Sequence, residues 1–253
     1  MNFNLFTFLG LSFIFLTTVF GAAFVYCVKE DISPRVYALV FGFSAGIMTA
    51  ASVWSLLLPA LDSAKSSFGE RSFFPVAFAF LLGGGLIVVF ERFTNREKEY
   101  SAETLRARKL FLSMTLHNIP EGLAVGFAFG AARVAGAGSA YIAALGLAFG
   151  IGFQNLPEGA AVSLPMKTAL KSKHKAFAYG LCSAVVEPFF ALIGYFFIGY
   201  LQPLQPWLLA FSAGAMIFVV ADELLPQTQE EKGSLGAWGF MTGFVAMMIL
   251  DVL

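Results

Sequence analysis

The stretch His117-Asn118-Ile119-Pro120-Glu121-Gly122-Leu123-Ala124-Val125-Gly126 lies inside a long apolar run and has a near-copy later in the chain. The copy is Gln154-Asn155-Leu156-Pro157-Glu158-Gly159-Ala160-Ala161-Val162-Ser163. In both, a glutamate stands between a proline and a glycine. An ionised side chain at the centre of a membrane helix costs about 2.5–3.5 kcal/mol on insertion scales, so such residues mark functional sites by default.

The spacing inside the motif indicates what it binds. Residues four apart share one face of a helix, so His117 and Glu121 can hold the same cation. Asn118 points about 100° away, which suits either a second, adjacent ion or the far side of the first. The second copy repeats the arrangement with Gln154, Glu158 and Asn155.

Each motif also frees a backbone carbonyl. Pro120 cannot donate to the carbonyl of Leu116, and Pro157 cannot donate to that of Phe153. Within a membrane this is tolerated only where protein or a water-filled cavity satisfies the group. Imidazole, carboxylate and amide oxygen together suit a borderline divalent metal such as Zn²⁺, Fe²⁺ or Mn²⁺.

The composition is that of an integral membrane protein. Of the 253 residues, 58% are hydrophobic and only 13% are charged, and the mean hydropathy is +0.77. A soluble domain would carry about 25% charged residues. The net charge is zero, so nothing favours nucleic acid as a partner. The lipid bilayer is the expected surroundings.

Apolar runs predict one transmembrane domain, residues 1–253, with an all-α fold. Residues 1–28 have no basic residue at their start, which argues for a first helix rather than a cleaved signal peptide. The polar stretch 91–109 is predicted to be a loop or a surface helix. The eight predicted membrane helices cover about 3–28, 36–61, 73–90, 110–130, 139–166, 176–201, 206–225 and 235–253.

The distribution of Lys and Arg predicts the orientation. If the N-terminus lies outside, the inner loops hold 13 of the 16 basic residues, and the outer loops hold only Lys65, Arg71 and Arg133. The positive-inside rule therefore places both termini outside.

An internal repeat supports this architecture. The string Phe43-Ser44-Ala45-Gly46-Ile47-Met48 recurs as Phe211-Ser212-Ala213-Gly214-Ala215-Met216, and Leu57-Leu58-Pro59 recurs as Leu224-Leu225-Pro226. The copies fall in the second and seventh helices, which run in opposite directions. Inverted repeats with broken helices near the midplane are typical of secondary transporters.

The motif pair resembles the signature of the ZIP (Zrt/Irt-like) family of divalent metal transporters, in its bacterial branch. The resemblance implies eight helices in a 3+2+3 arrangement, a binuclear metal site between the fourth and fifth, a homodimer, and a place in the cell (inner) membrane. It implies metal as cargo (zinc, with iron, manganese, cadmium or cobalt as further substrates) and no prosthetic group. One residue departs from the pattern: Gln154 stands where many members have histidine, which bears on metal selectivity.

Further polar groups extend the predicted site. Glu187, before Pro188 in the sixth helix, could bridge to a second ion, and Met48 stands where the resemblance places a soft ligand. The predicted entrance and exit residues are Asp62 and Asp251 at the outer face and Asp222 and Glu223 at the inner end of the seventh helix.

The predicted activity is transport rather than catalysis. The chain has no nucleotide-binding loop, so transport runs down a gradient or is coupled to an ion. A membrane metallohydrolase needs an open water position and a separate base, as in H-E-x-x-H, and Asn118-Ile119-Pro120 interrupts that pattern. A metal sensor would need an output domain that this chain does not show.

Overall fold

The computed structural model describes residues 4–28, 33–94, 101–228 and 233–252. Within those ranges nearly every residue is helical and there is no β-strand. A short helix, Ile198–Leu201, and a 3₁₀ turn, Gln202–Leu204, connect the sixth long helix to the seventh. The eight long helices of the described ranges are α1 (Leu5–Cys27), α2 (Pro34–Arg71), α3 (Phe73–Thr94), α4 (Ala102–Ala135), α5 (Gly138–Leu170), α6 (Lys173–Phe196), α7 (Gln205–Thr228) and α8 (Leu235–Val252).

Local signals set the helix ends around the motifs. The Ser101 hydroxyl accepts a hydrogen bond of 3.2 Å from the amide of Thr104 and caps the start of α4. Gly136, with φ of 65°, ends α4 in the left-handed conformation that glycine adopts at no steric cost. Only two residues then separate α4 from α5, so the two motif helices must be antiparallel neighbours.

Three helices differ most in extent from the sequence prediction. α2 continues past residue 61 to Arg71, and α4 begins at Ala102 rather than near residue 110. Residues 102–109 are mostly good helix formers behind the Ser101 cap, so nothing stops the helix earlier. α6 ends at Phe196 rather than near residue 201, and a short separate helix follows.

The eight helices form four closely packed pairs: α1 with α5, α4 with α6, α2 with α8, and α3 with α7. Glycine allows the close approach within each pair. A Cβ atom at Gly46 would overlap the carbonyl of Phe240 in α8, and one at Gly83 would overlap the carbonyl of Phe211 in α7. Small residues have the same role at helix contacts in membranes.

The pairs assemble into two four-helix groups. α1, α4, α5 and α6 contact one another and form what we call the motif group, while α2, α3, α7 and α8 form the flanking group. The two groups meet mainly where α4 packs on α7 and where α2 packs on α5. The four pairs are related by a symmetry of the contacts. If α1 is exchanged with α6, α2 with α7, α3 with α8 and α4 with α5, the α1–α5 pair becomes the α4–α6 pair and the α2–α8 pair becomes the α3–α7 pair.

The second and seventh helices share an irregularity. Residues Ser52–Leu57 of α2 and Val220–Leu224 of α7 are π-helical, and both segments end just before a repeated Leu-Pro, at Pro59 and Pro226. The π segment has 6 residues in α2 and 5 in α7. The stretch from the repeated Met to the repeated Pro is correspondingly one residue longer in α2. A π segment takes up an extra residue in a helix and often marks a functional position.

Five of the described helices are long and apolar enough to cross a membrane: α1, α2, α5, α6 and α7. α3 and α8 have shorter apolar stretches, Phe73–Val89 and Leu235–Leu250. Large apolar side chains also face outward, among them Leu81 at 72% exposure and Phe74 at 62%. Such a surface is suited to lipid rather than to water.

Both ends of the bundle can be assigned from contacts. The Phe6 ring of α1 stacks on Tyr141 at the start of α5, so α1 begins where α5 begins. A small cavity brings Ser55 and Pro59 of α2 to Leu147 of α5 at that same end. α8 runs alongside α2, with Trp54 against Phe244, and therefore ends there too. We call this the terminal end, and the other the opposite end.

Candidate metal site

The antiparallel contact of α4 and α5 brings the two motif copies face to face in the motif group. His117 Nε2 lies 3.1 Å from Glu158 Oε2 and 3.6 Å from Glu121 Oε2. One ligand atom from each of these three residues lies within 4.8 Å of the others, and all three residues are buried. Gln154 Nε2 donates a hydrogen bond to Glu121 Oε1. Two carboxylates, an imidazole and an amide thus meet at one buried site.

The most informative feature of this site is a set of buried polar atoms that have no hydrogen-bond partner among the described residues. The six motif residues are at most 2% exposed. A buried polar atom without a hydrogen bond costs about 1–3 kcal/mol, so native proteins rarely keep several together. The motif atoms that have no hydrogen-bond partner among the described residues are His117 Nδ1, Asn118 Oδ1, Glu121 Oε2, Gln154 Oε1, Asn155 Oδ1 and Glu158 Oε1.

The five oxygens of this set can bind a cation, and so can the His117 imidazole through Nε2, the ring nitrogen that faces both carboxylates. Carboxylate oxygens, amide oxygens and an imidazole nitrogen are the donors that Zn²⁺ and neighbouring divalent metals take in proteins. One cation, or two, in this place would satisfy atoms that the protein leaves unpaired.

The two asparagines are held in place by neighbouring helices. Asn118 Nδ2 donates to the carbonyl and hydroxyl oxygens of Ser183 in α6, at 3.2 and 3.1 Å. Asn155 Nδ2 donates to the carbonyl of Ile14 in α1 at 3.2 Å and to Glu187 Oε2. Both amide NH₂ groups are therefore used in anchoring, which turns the free Oδ1 atoms toward other partners.

The glycine after each glutamate has a packing reason. A Cβ atom at Gly122 would overlap the carbonyl of Glu187 in α6, and one at Gly159 would overlap the carbonyl of Thr18 in α1. Pro120 and Pro157 lie inside helices that continue on both sides of them. The motif thus combines close helix packing with carbonyls that have lost their usual donors.

Comparison with known proteins identifies the family. A family model described as ZIP Zinc transporter matches residues 91–251, which include both motif copies and Glu187. The chain belongs to the ZIP family. It is 33% identical to human Zinc transporter ZIP11 over 96% of each chain. It is also 32% identical to Zinc transporter GufA of Myxococcus xanthus, over 89% of this chain and 90% of that one.

A third relative extends the comparison. Zinc transporter ZIPB of Bordetella bronchiseptica is 33% identical, over 94% of this chain and 77% of that protein. The resemblance noted from the motif pair is therefore confirmed, and ZIP proteins are membrane transporters rather than enzymes.

Glu187 lies beside the motif residues of this ZIP chain and is fully buried. Its Oε1 accepts from the Thr18 hydroxyl at 3.0 Å, and its Oε2 accepts from Asn155 Nδ2. Met48 is buried in the large apolar cluster that also contains Ala124 and Ala161, and its role as a metal ligand stays a prediction.

The predicted entrance and exit residues lie apart from this cluster. Asp62, with a side chain 73% exposed, pairs with Lys65 at 2.6 Å in α2, toward the terminal end. Asp251 lies in the last turn of α8, and its side chain falls outside the described residues. Asp222 and Glu223 lie toward the opposite end, in the π segment of α7.

Asp222 and Glu223 take part in an ion pair that joins the motif group to the flanking group. Lys109 Nζ of α4 lies 2.6 Å from Asp222 Oδ2 and 2.6 Å from Glu223 Oε1 of α7. The three residues, with Arg106 and Gln227, line a cavity of about 430 Å³. The sequence shows Lys109 only as one of many basic residues at a helix start, so this pairing was not predicted.

Thr18 and Ser183 are two further residues that sequence reasoning missed. Each is a small hydroxyl side chain in an apolar helix, and each is at most 2% exposed. Their positions in otherwise apolar stretches were the available signal, but it is weak because such hydroxyls usually bond to their own helix.

Proposed function

We propose that this chain is a secondary transporter that carries divalent transition-metal cations, zinc foremost, across the cell membrane into the cytoplasm. The observation that carries the proposal is the group of buried polar atoms around His117, Glu121 and Glu158 that have no hydrogen-bond partner among the described residues. The relatives named zinc transporters agree with it.

The proposed site holds two ions between α4 and α5. His117, Glu121 and Glu158 are the ligands of the first ion, because their ligand atoms lie within 4.8 Å of one another. Asn118, Asn155 and Glu187 offer oxygens for the second ion, with the two motif carboxylates shared between both. Gln154 completes the first set through its free Oε1.

The proposed topology is eight crossings in a 3+2+3 order, with both termini outside and one transmembrane domain. It is supported by the start of α1 and the end of α8 at one end of the bundle, and by Lys109 and Lys173 at the other. The exchange symmetry of the helix pairs is what inverted repeats produce. A homodimer in the inner membrane is the assembly that the family resemblance implies.

The proposed selectivity follows from the donor atoms. A single imidazole among oxygen ligands is less strongly biased toward Zn²⁺ than two imidazoles would be, because carboxylate and carbonyl oxygens also suit Mn²⁺ and Fe²⁺. Cd²⁺ and Co²⁺ are further substrates to be compared. Access to the site alternates between the two membrane faces.

The test is metal uptake by the purified chain in proteoliposomes. An inward gradient of radioactive Zn²⁺ should give saturable uptake that excess unlabelled Cd²⁺, Fe²⁺ or Mn²⁺ reduces, each to its own extent. Protein-free liposomes give the leak, and an ionophore gives the full vesicle capacity. Uptake equal to the leak for every one of these ions would overturn the proposal.

A further inference from the structure

The site is built from two equivalent halves, and one pair of equivalent residues is chemically different. Asn118 is anchored on the carbonyl of Ser183 in α6, and Asn155 on the carbonyl of Ile14 in α1. The exchange of α6 with α1 therefore relates Ser183 to Ile14. One turn further on stand Glu187 in α6 and Thr18 in α1.

The glycine contacts give the same correspondence independently. Gly122 packs on the carbonyl of Glu187, and Gly159 packs on the carbonyl of Thr18. Glu187 and Thr18 are thus equivalent positions of the two halves, and their side chains meet: Thr18 Oγ1 lies 3.0 Å from Glu187 Oε1. One half supplies a carboxylate and the other a hydroxyl.

The single proton of the Thr18 hydroxyl has two acceptors in reach, Glu187 Oε1 at 3.0 Å and the carbonyl of Ile14 at 3.0 Å. A carbonyl oxygen has two lone pairs. The Ile14 carbonyl already accepts from Asn155 Nδ2 and, as part of α1, from the backbone amide of Thr18. When ionised, the Glu187 carboxylate is the stronger of the two acceptors, since charge-assisted hydrogen bonds are about twice as strong as neutral ones.

The contact with Thr18 fixes the Glu187 carboxylate but leaves some of its acceptor positions unused. Each of its oxygens accepts one hydrogen bond, from Thr18 and from Asn155. An ionised carboxylate has about four acceptor positions, so about two remain for a cation. In metal sites, hydrogen bonds of this kind fix the orientation of ligating carboxylates.

We propose that Thr18 is a positioning residue: its hydroxyl orients the Glu187 carboxylate for the second metal ion, so that α1 takes part in a site whose ligands lie on α4, α5 and α6. The inference rests on the proposed function, in which Glu187 binds that ion. It assigns a role to the first helix, which carries no charged residue between Leu5 and Cys27.

The test is an equilibrium Zn²⁺ titration of the detergent-solubilised chain, with bound metal counted per protein by elemental analysis. Wild type should bind two ions with different affinities. Thr18→Val keeps the shape and removes the hydroxyl, and should weaken the second ion about 10–100-fold while the first changes less than about threefold. Thr18→Ser restores the hydroxyl and should restore the second affinity.

Two controls separate positioning from general damage. Thr7→Val makes the same change three turns earlier in α1, at a buried hydroxyl that has no hydrogen-bond partner among the described residues, and should leave both affinities unchanged. In a Glu187→Gln background the second ion should no longer bind, and adding Thr18→Val should leave the affinity of the remaining ion unchanged, since contacting residues that act as a unit are non-additive.

Several outcomes would overturn the inference. Unchanged affinities in Thr18→Val, an equal loss of both ions, or a weaker first ion when Thr18→Val is added to Glu187→Gln would each exclude a positioning role. A single bound ion in wild type would also end it, whereas the proposed transport would still stand or fall on the vesicle uptake.

Discussion

The α4 and α5 motifs make equivalent backbone contacts but present different chemistry. Both pack a glycine against the carbonyl of a parallel helix, and both anchor an asparagine on such a carbonyl. His117 in α4 nevertheless faces Glu158, whereas Gln154 in α5 donates to Glu121. The packing contacts of the two halves are therefore equivalent, whereas the side chains at positions 117 and 154 differ in chemistry.

The same contrast holds between the two ends of the bundle. Where α4 meets α7, Lys109 pairs with Asp222 and Glu223, and the contact is ionic. Where α2 meets α5, Ser55 and Pro59 lie near Leu147 around a small, mostly apolar cavity. The helix exchange relates the α4–α7 contact to the α2–α5 contact, so these two equivalent contacts differ in chemistry: one is ionic and the other is mostly apolar. A transporter has to distinguish its two faces, and this difference does so.

The largest expected effect comes from removing a charge that both halves share. Glu121→Gln and Glu158→Gln should each reduce Zn²⁺ uptake in proteoliposomes by 100-fold or more, on the order of 3 kcal/mol, because a neutral amide replaces a carboxylate ligand. Glu103→Gln, at the exposed start of α4, is the matched control and should transport normally. Near-normal uptake by either motif variant, with the protein folded, would contradict the site.

The next effect distinguishes the two halves. His117→Gln makes α4 resemble α5 and removes the imidazole of the motif pair, so apparent Zn²⁺ affinity should fall about 10–100-fold. Gln154→Asn, which shortens the amide in the other half, should cost less. A titration with a competing chelator measures both, and a larger loss at position 154 would reverse the assignment of the halves.

Gln154→His makes the converse change, since it gives the α5 motif the imidazole of the α4 motif. A second imidazole should raise the preference for Zn²⁺ over Mn²⁺ about tenfold, because imidazole suits Zn²⁺ better than it suits Mn²⁺. Competition between the two ions during uptake gives the ratio. If the ratio does not move, Gln154 does not contact the metal.

The smallest effect concerns the packing that the halves share. Gly122→Ala and Gly159→Ala should lower the free energy of unfolding by similar amounts, about 1–3 kcal/mol each, because the new methyl group meets a backbone carbonyl. Gly85→Ala, whose Cβ would enter open space, is the control. Thermal unfolding in detergent measures all three, and a loss at only one motif glycine would show that the halves are not packed alike.

Much of the site could be predicted from the sequence because it is local. His117 and Glu121 share a helix face by their spacing, and the two-residue link after Ala135 makes α4 and α5 neighbours. The helix number, the repeat and the family resemblance followed from apolar runs and motif copies. The ends of α2, α4 and α6 were predicted less accurately. A helix end depends on its caps and on its contacts with other helices as well as on the apolar run.

What the sequence by itself determined is the types of the motif side chains and their order along two helices, since periodicity places residues on a helix face without reference to the rest of the chain. Only the tertiary structure decided which side chains face them: Thr18 on Glu187, Ser183 on Asn118, and Lys109 on Asp222. These partners come from different helices, far apart in sequence. The register between two helices is set by how closely their small residues let the backbones approach, and no single segment encodes that.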